Sequence, residues 1–403
     1  MSKPAELQFS SFDGGLRFGK PPPLGLSRPG PLSSKGDLKR ATSEGLSIKQ
    51  EWSDVQIVNC WDVADLDFVP LDFPLERTHR EIHGADAKEV ASRIAKALRV
   101  LSIEAEYDGK QAKAKCKTRD LVSFRIRLFA GGEGGLPVMV EVQRRSGSPA
   151  SFMRSCRAIL DAAEGKGVEA ADLPKFNSSP PFMKGAVCGM KCLESAVLKT
   201  NPIEDMNCGL NKATELLRSK QKDSNLLGLE NLCHLTDVLK TRPDIALKVS
   251  KRVILGDEDC DIREEVGVML QRDVFEECDE EDSPTTFGDK SRHLALVLFS
   301  NALSLTSKDG CLAGAVKSQS WFGDFLIPSL LDEIKSYETS ANNSYEAACG
   351  LTSLALCSEI ACRVMKENSA VEEIKNARQF GLQYHELLAN ETERCLQAMG
   401  CDI

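Results

Sequence analysis

Three consecutive stretches between residues 111 and 146 alternate apolar and polar side chains with period two. That pattern confines this part of the chain to a sheet with one buried face. In 111–117, Ala112, Ala114 and Cys116 alternate with Lys113, Lys115 and Lys117. In 121–129, Val122, Phe124, Ile126 and Leu128 alternate with Ser123, Arg125 and Arg127. In 136–143, Val138, Val140 and Val142 alternate with Met139, Glu141 and Gln143, and the stretch runs on into Arg144-Arg145. A fourth, shorter strand is predicted over 103–107, paired to the next through the Asp108-Gly109 turn. Helical periods flank the strands. Asp86 and Glu89 suit a helix start, and Val90, Ala91, Ile94, Ala95, Leu98 and Leu101 then form one apolar stripe. A second helix over 149–164 carries Phe152, Cys156, Ile159 and Leu160 on one face. The expected unit, residues 76–165, is an α+β module of helix, three or four antiparallel strands and helix. Both helices cover one sheet face and leave the other in water.

Residues 1–75 read differently. FGKPPPLGLSRPGPLSSKGDLKRATSEGLS is rich in Pro, Gly and Ser without any period, so a disordered arm is expected. Within it, Lys39-Arg40 precede the hydroxyls of Thr42 and Ser43, a pattern resembling basophilic kinase sites, where phosphate would invert the local charge. WDVADLDFVPLDF, 61–73, alternates acidic with large apolar residues. It reads as an extended arm lying on a neighbouring domain, or as a docking peptide for a partner groove.

From about residue 180 to 403 the chain is predicted helical, over 183–199, 203–220, 225–240, 243–253, 262–275, 292–305, 321–336, 344–366 and 369–399. Three segments share one character: GLENLCHLTDVL, LVLFSNALSLT and GLTSLALCSEIA. Each is an Ala/Leu/Cys-rich helix with a small polar residue on its apolar face. They resemble the inner helices of armadillo/HEAT-type repeats, which implies a superhelical solenoid that binds proteins. A generic all-α domain is the alternative.

The α+β module resembles the kinase-associated 1 (KA1) domain. The resemblance rests on the FRIRLF strand, the VEVQRRSGS strand end and the helix FMRSCRAIL, with Phe152, Cys156, Ile159 and Leu160 in the matching places of the family's ending. It covers less than a quarter of the chain. It departs at Ser148-Pro149, where the family has an acidic residue after Gly, and in a longer Gly-rich loop before the last strand. It implies anionic phospholipid binding and intramolecular autoinhibitory docking. No kinase domain accompanies it: GGEGG at 131–135 is not followed by a lysine strand, and no H-R-D or D-F-G occurs.

No catalytic set assembles from the sequence, so no enzyme, cofactor or metal is expected. G-x-S-x-G and Walker loops are absent. His79 and His83 stand at i, i+4 without the Glu spacing of a zinc helix, and read as a surface pair. An enzymatic reading would need them joined with Cys188 and Cys192. The 15 cysteines, with no Cys-x-x-Cys and no apolar leader, read as reduced thiols packed in helices of a cytoplasmic or nuclear protein. No run of about 18 apolar residues is present to span a membrane. The acidic run 276–282, EECDEED, lacks calcium-loop spacing and reads as a solvated loop.

Charge is the informative signal. The chain has net charge −9, which excludes a global nucleic-acid footprint. Residues 76–164 nevertheless carry 17 Lys+Arg against 12 Asp+Glu. Period two places Lys113, Lys115, Lys117, Arg125 and Arg127 on one sheet face, with Arg144, Arg145, Arg154 and Arg157 at the strand–helix junction. Such a patch suits anionic lipid headgroups or an acidic protein surface, including this chain's own acidic half. The sequence therefore reads as a non-catalytic adaptor, cytoplasmic or peripheral to a membrane. Two other readings stand beside it. One is a regulatory subunit acting on a Ser/Thr kinase in trans, and the other is a structural all-α interaction protein without lipid binding.

Overall fold

The computed structural model describes residues 61–63, 65–70, 73–131, 137–168, 202–256, 262–271 and 286–401. Thr42 and Ser43, the helix expected over 183–199 with Cys188 and Cys192, and the acidic run 276–282 lie outside them. The expected disordered arm is described only from Trp61 onward.

The described chain is α+β, with thirteen α-helices and one five-stranded antiparallel sheet of order β1-β5-β4-β3-β2. The strands are β1 (His79–Ile82), β2 (Glu104–Asp108), β3 (Lys113–Lys117), β4 (Ser123–Ala130) and β5 (Val138–Ser146). Helix α1 (Ala87–Val100) sits between β1 and β2, and α2 (Pro149–Ala163) follows β5. Asp86 caps α1 by accepting the Glu89 N–H at 2.8 Å, and Val90, Ile94 and Leu98 of α1 join one core with Phe124, Ile126, Val140, Val142, Phe152 and Ile159.

Strand β1 was not expected. Its HREI buries one apolar residue, Ile82, too little for a periodic signal. Arg80 holds it to α2 by donating to Asp161 at 2.7 Å, with Glu164 3.2 Å away. The turn after β5 requires its glycine. Gly147 has φ +89°, and a Cβ there would lie 2.7 Å from Val122 Cα.

The module also begins earlier than residue 76. Trp61 and Val63 are buried in its core, and the Trp61 ring lies 5.5 Å from Tyr107. Ala130 donates its N–H to Asp67 O at 2.9 Å, and Phe73 covers the Arg127 guanidinium at 5.4 Å. Trp61 and Val63 anchor this stretch in the module's core, whereas Phe68 is exposed.

The remaining helices are α3 (Pro202–Leu217), α4 (Lys222–Thr236), α5 (Pro243–Leu255), α6 (Ile262–Val268), α7 (Phe287–Asp309) and α8 (Leu312–Ser318). A π-helical turn, Phe322–Leu326, leads into α9 (Ile327–Lys335), followed by α10 (Ala341–Cys357), α11 (Glu359–Glu367), α12 (Ala370–Tyr384) and α13 (Glu386–Ala398). The helices expected over 344–366 and 369–399 are each two helices. Ser358 and His385 adopt extended backbone and accept the N–H of Ala361 and Leu388, so each break caps the next helix. Helix α4 packs on α7, α7 on α10, and α10 on α13. Each of the four carries a buried threonine whose hydroxyl donates to the carbonyl four residues earlier: Thr236, Thr306, Thr352 and Thr392. These four hydroxyls are thus satisfied within their own helices, whereas Ser291 Oγ and Ser300 Oγ of α7 are buried without a partner among the described residues.

The α+β and helical parts form one compact unit spanning Asp54–Ile403. The joint is polar. The β3–β4 hairpin inserts Arg119, which pairs with the fully buried Glu346 of α10 and lies 5.0 Å over the Tyr345 ring. Burial alone would lower the Arg119 pKa, but Glu346 outweighs it and holds the guanidinium charged. Two helix N-termini are capped from the α+β part. Asn342 of α10 donates its N–H to Glu104 Oε1 at 2.6 Å, and Leu387 of α13 donates to Ser102 Oγ at 2.9 Å.

Removing one partner of a buried ion pair leaves the other uncompensated, so Arg119→Ala should lower the unfolding free energy by about 3 kcal/mol or more. The double change Arg119→Met/Glu346→Leu should cost less than either truncation. Urea titration of the three variants checks both statements.

Candidate anion-binding cleft

The polar sheet face is not open water, contrary to the expected one-sided cover. It forms one wall of a cleft of about 870 Å³ whose other wall comes from the α9–α10 turn, α10 and α12. The joint makes this wall, because Asn342 also donates Nδ2–H to Lys117 O at 3.3 Å and so holds the start of α10 against β3.

Register fixes the charges on the sheet wall. One row across the strands reads Asp108, Lys113, Arg127 and Glu141. The next reads Glu106, Lys115, Arg125 and Gln143, and the third Glu104, Lys117 and Ser123. Like charges directly opposite one another, Lys113 with Arg127 and Lys115 with Arg125, destabilise a sheet. Carboxylates at the row ends offset part of this. Glu106 accepts from Lys115 Nζ at 3.1 Å, and Glu141 is fully buried next to Arg127, its Oε1 accepting the Glu76 N–H at 2.8 Å.

Arg125 lacks that relief. Its strand neighbours are Lys115 and Gln143, and its Nε is buried with no hydrogen-bond partner. Burial lowers its pKa, and Arg145 and Arg127 lower it further; Lys113 is lowered by burial and then by Arg125, Arg127 and Lys115. Arg145, exposed, lines the same cleft, and no carboxylate pairs with Arg125 or Arg145 among the described residues. The positive focus is therefore narrower than the sequence suggested, because Glu104, Glu106 and Asp108 share the basic face.

The structure brings together Lys113, Lys115, Lys117, Arg125, Arg127 and Arg145. It does not bring the other three to them. Arg144 lies opposite Phe124, on the helix-covered side, and donates to Gly147 O at 2.9 Å. Arg154 and Arg157 are exposed on α2, which covers the opposite face of the sheet. The junction arginines share a stretch of sequence but not a surface.

The helical wall supplies groups the sequence did not single out: Asp289, Arg292, Glu333, Glu338, Asn343, Tyr384 and His385. Arg292 Nε lies 3.5 Å from Glu333 Oε1, tying α7 to α9. Two histidines here are buried, His385 at the wall and His293 behind it. His385 Nδ1 accepts the Leu388 N–H at 3.1 Å, so its proton is on Nε2, donated to Asn342 Oδ1 at 3.2 Å. His293 Nε2 lies 2.7 Å from Arg119 O and its Nδ1 2.8 Å from Asn343 Oδ1, so both ring nitrogens face acceptor oxygens. Burial lowers the pKa of both, that of His385 to about 3.

His79 lies in β1 and His83 is exposed beside Glu81, 3.8 Å away. Among the described residues no three His, Cys, Asp or Glu side chains gather as metal ligands. The described cysteines are free thiols, and burial raises the pKa of Cys116, Cys156, Cys233, Cys349 and Cys395. No helix among the described residues is long and apolar enough to cross a membrane. No protein-family model, curated protein or solved structure matches the chain.

A histidine whose folded pKa lies below its unfolded value near 6.5 takes its proton in the unfolded chain first. The stability that depends on neutral His293 and His385 is complete above about pH 6.5 and is lost as pH falls from there towards 3. His385→Asn keeps a cap acceptor and removes one titration. Its stability should fall by about 2 kcal/mol less than the native protein's between pH 6.5 and 5, read from urea unfolding at each pH.

Proposed function

We propose that the protein is a non-catalytic adaptor in which the basic sheet wall engages an anionic partner surface and the helical part binds proteins. The observation that carries this reading is the Arg125–Arg145 pair, two guanidiniums on one cleft wall with no carboxylate partner among the described residues. A bound anion would satisfy the buried Nε of Arg125 and offset the burial and, after it, the repulsion from Arg145 and Arg127 that lower its pKa. The KA1 resemblance of FRIRLF, VEVQRRSGS and FMRSCRAIL supports the same direction, since that family's known ligands are anionic phospholipids and its own chains' surfaces. The succession α4, α7, α10 and α13, every third helix in contact, supports an armadillo-like stack for the helical part.

Charge reversal tests the reading. Lys113→Glu/Lys115→Glu/Arg125→Glu/Arg145→Glu should abolish retention on immobilised heparin at physiological ionic strength, where the native protein is retained. Equal retention of both, with thermal melts confirming that both are folded, would remove this face as the anionic site.

A further inference from the structure

The cleft has a second component that a purely electrostatic surface would not need. Phe380 and Tyr384, one turn apart on α12, stack with ring centroids 4.8 Å apart and planes at 30°. Tyr337, from the turn after α9, extends the ladder at 5.4 Å from Phe380. The three rings are half-buried and line a groove of about 510 Å³ together with the amides of Asn376, Gln379 and Gln383. Among the described residues Glu338 is the single charged one lining it. The groove is continuous with the basic cleft, since Glu338, Phe380 and Tyr384 line both.

The cleft thus offers the guanidiniums of Arg125 and Arg145, which no carboxylate pairs among the described residues although Glu104, Glu106, Asp289, Glu333 and Glu338 also line it, while the groove offers rings and amide groups. One of the two unpaired guanidiniums is also recessed, while Arg145 is exposed at the cleft. Arg125 has its Nε buried, and the α9–α10 turn and α12 stand across from it. A flat bilayer presents headgroups to exposed patches and gains little from a walled channel lined with rings. A single extended chain fits both halves. Its carboxylates meet the guanidiniums, apolar or proline side chains lie on the rings, and its backbone amides meet the side-chain amides.

We propose that the ligand of this site is an extended acidic peptide segment of a partner protein. Carboxylates sit on Arg125 and Arg145, and an adjoining aromatic or proline stretch lies on the Tyr337–Phe380–Tyr384 ladder. This inference rests on the anionic-ligand reading of the cleft and commits it to one class of partner.

The test uses the full-length protein and two probes. One is a fluorescein-labelled synthetic peptide in which a run of glutamates precedes Phe-Pro-Phe, followed by anisotropy, with the glutamate run alone as its control. The other is sedimentation with phosphatidylcholine vesicles containing phosphatidylserine. The complete peptide should bind saturably, more weakly as salt rises. It should bind roughly tenfold more tightly than the glutamate run, and Arg145→Glu, a change at an exposed side chain, should weaken it by roughly tenfold or more. Equal binding of the two peptides would overturn the proposal. So would Arg145-dependent vesicle binding with no peptide binding, an outcome that leaves the anionic-ligand reading standing. Failure of both probes to bind would bring down the peptide proposal and the anionic reading together.

Discussion

The Arg119–Glu346 ion pair is the contact on which the remaining architecture depends. Glu346 is fully buried in α10, and a carboxylate there is tolerated only because the β3–β4 hairpin delivers a guanidinium to it. The same hairpin presents the Arg119 carbonyl to His293 of α7. With the hairpin seated, Glu104 reaches the first turn of α10 and Ser102 that of α13. Helix ends that would otherwise leave donors unpaired are therefore completed by a different part of the chain. The joint contains few apolar contacts of its own and is instead specified by directional polar ones, which fix a single relative placement of sheet and helices.

That placement gives the basic sheet face its meaning. An isolated module would present its lysines and arginines to water, where each is hydrated and the cross-strand repulsions are screened. Docked, the same face becomes a channel wall in which Arg125 is partly desolvated and short of partners. The arrangement costs local stability at Lys113–Arg127 and Lys115–Arg125. A fold optimised for stability alone would place opposite charges there. Carboxylates on β2 and Glu141 on β5 offset the outer positions, and the uncompensated charge is concentrated on Arg125 and Arg145.

Much of the module was legible in the sequence, because period two and the helical stripes report which residues face a core. The four strands from β2 to β5, α1 and α2 follow that signal closely. Strand β1 was not legible, since HREI carries one buried apolar residue and its Arg80 is held by Asp161 of α2. The breaks at Ser358 and His385 were hidden within continuous helical periods, although a serine and a histidine able to cap a following helix stand at those points. The cleft was half legible. Alternation gave the five strand cations and the strand order was needed to add Glu104, Glu106 and Asp108 to their face. The junction arginines Arg144, Arg154 and Arg157 were drawn in by proximity along the chain, whereas the register of β5 opposite Phe124 turns Arg144, and α2 carries Arg154 and Arg157, to the other side. Nothing in the sequence marked Arg119, a single arginine in a turn, or Asn342 and Glu346, whose partners lie more than two hundred residues away in sequence.

The central claim is that sheet and helices form one cooperative body joined through Arg119 and Glu346. Trp61 reports on the sheet core and Trp321 on the helical core. Two variants, each retaining one of these and with Trp52 and the other changed to Phe, would be unfolded in urea and followed by fluorescence. The account predicts superimposable transitions with a common midpoint. Two separate midpoints, with one core melting while the other remains folded, would contradict it.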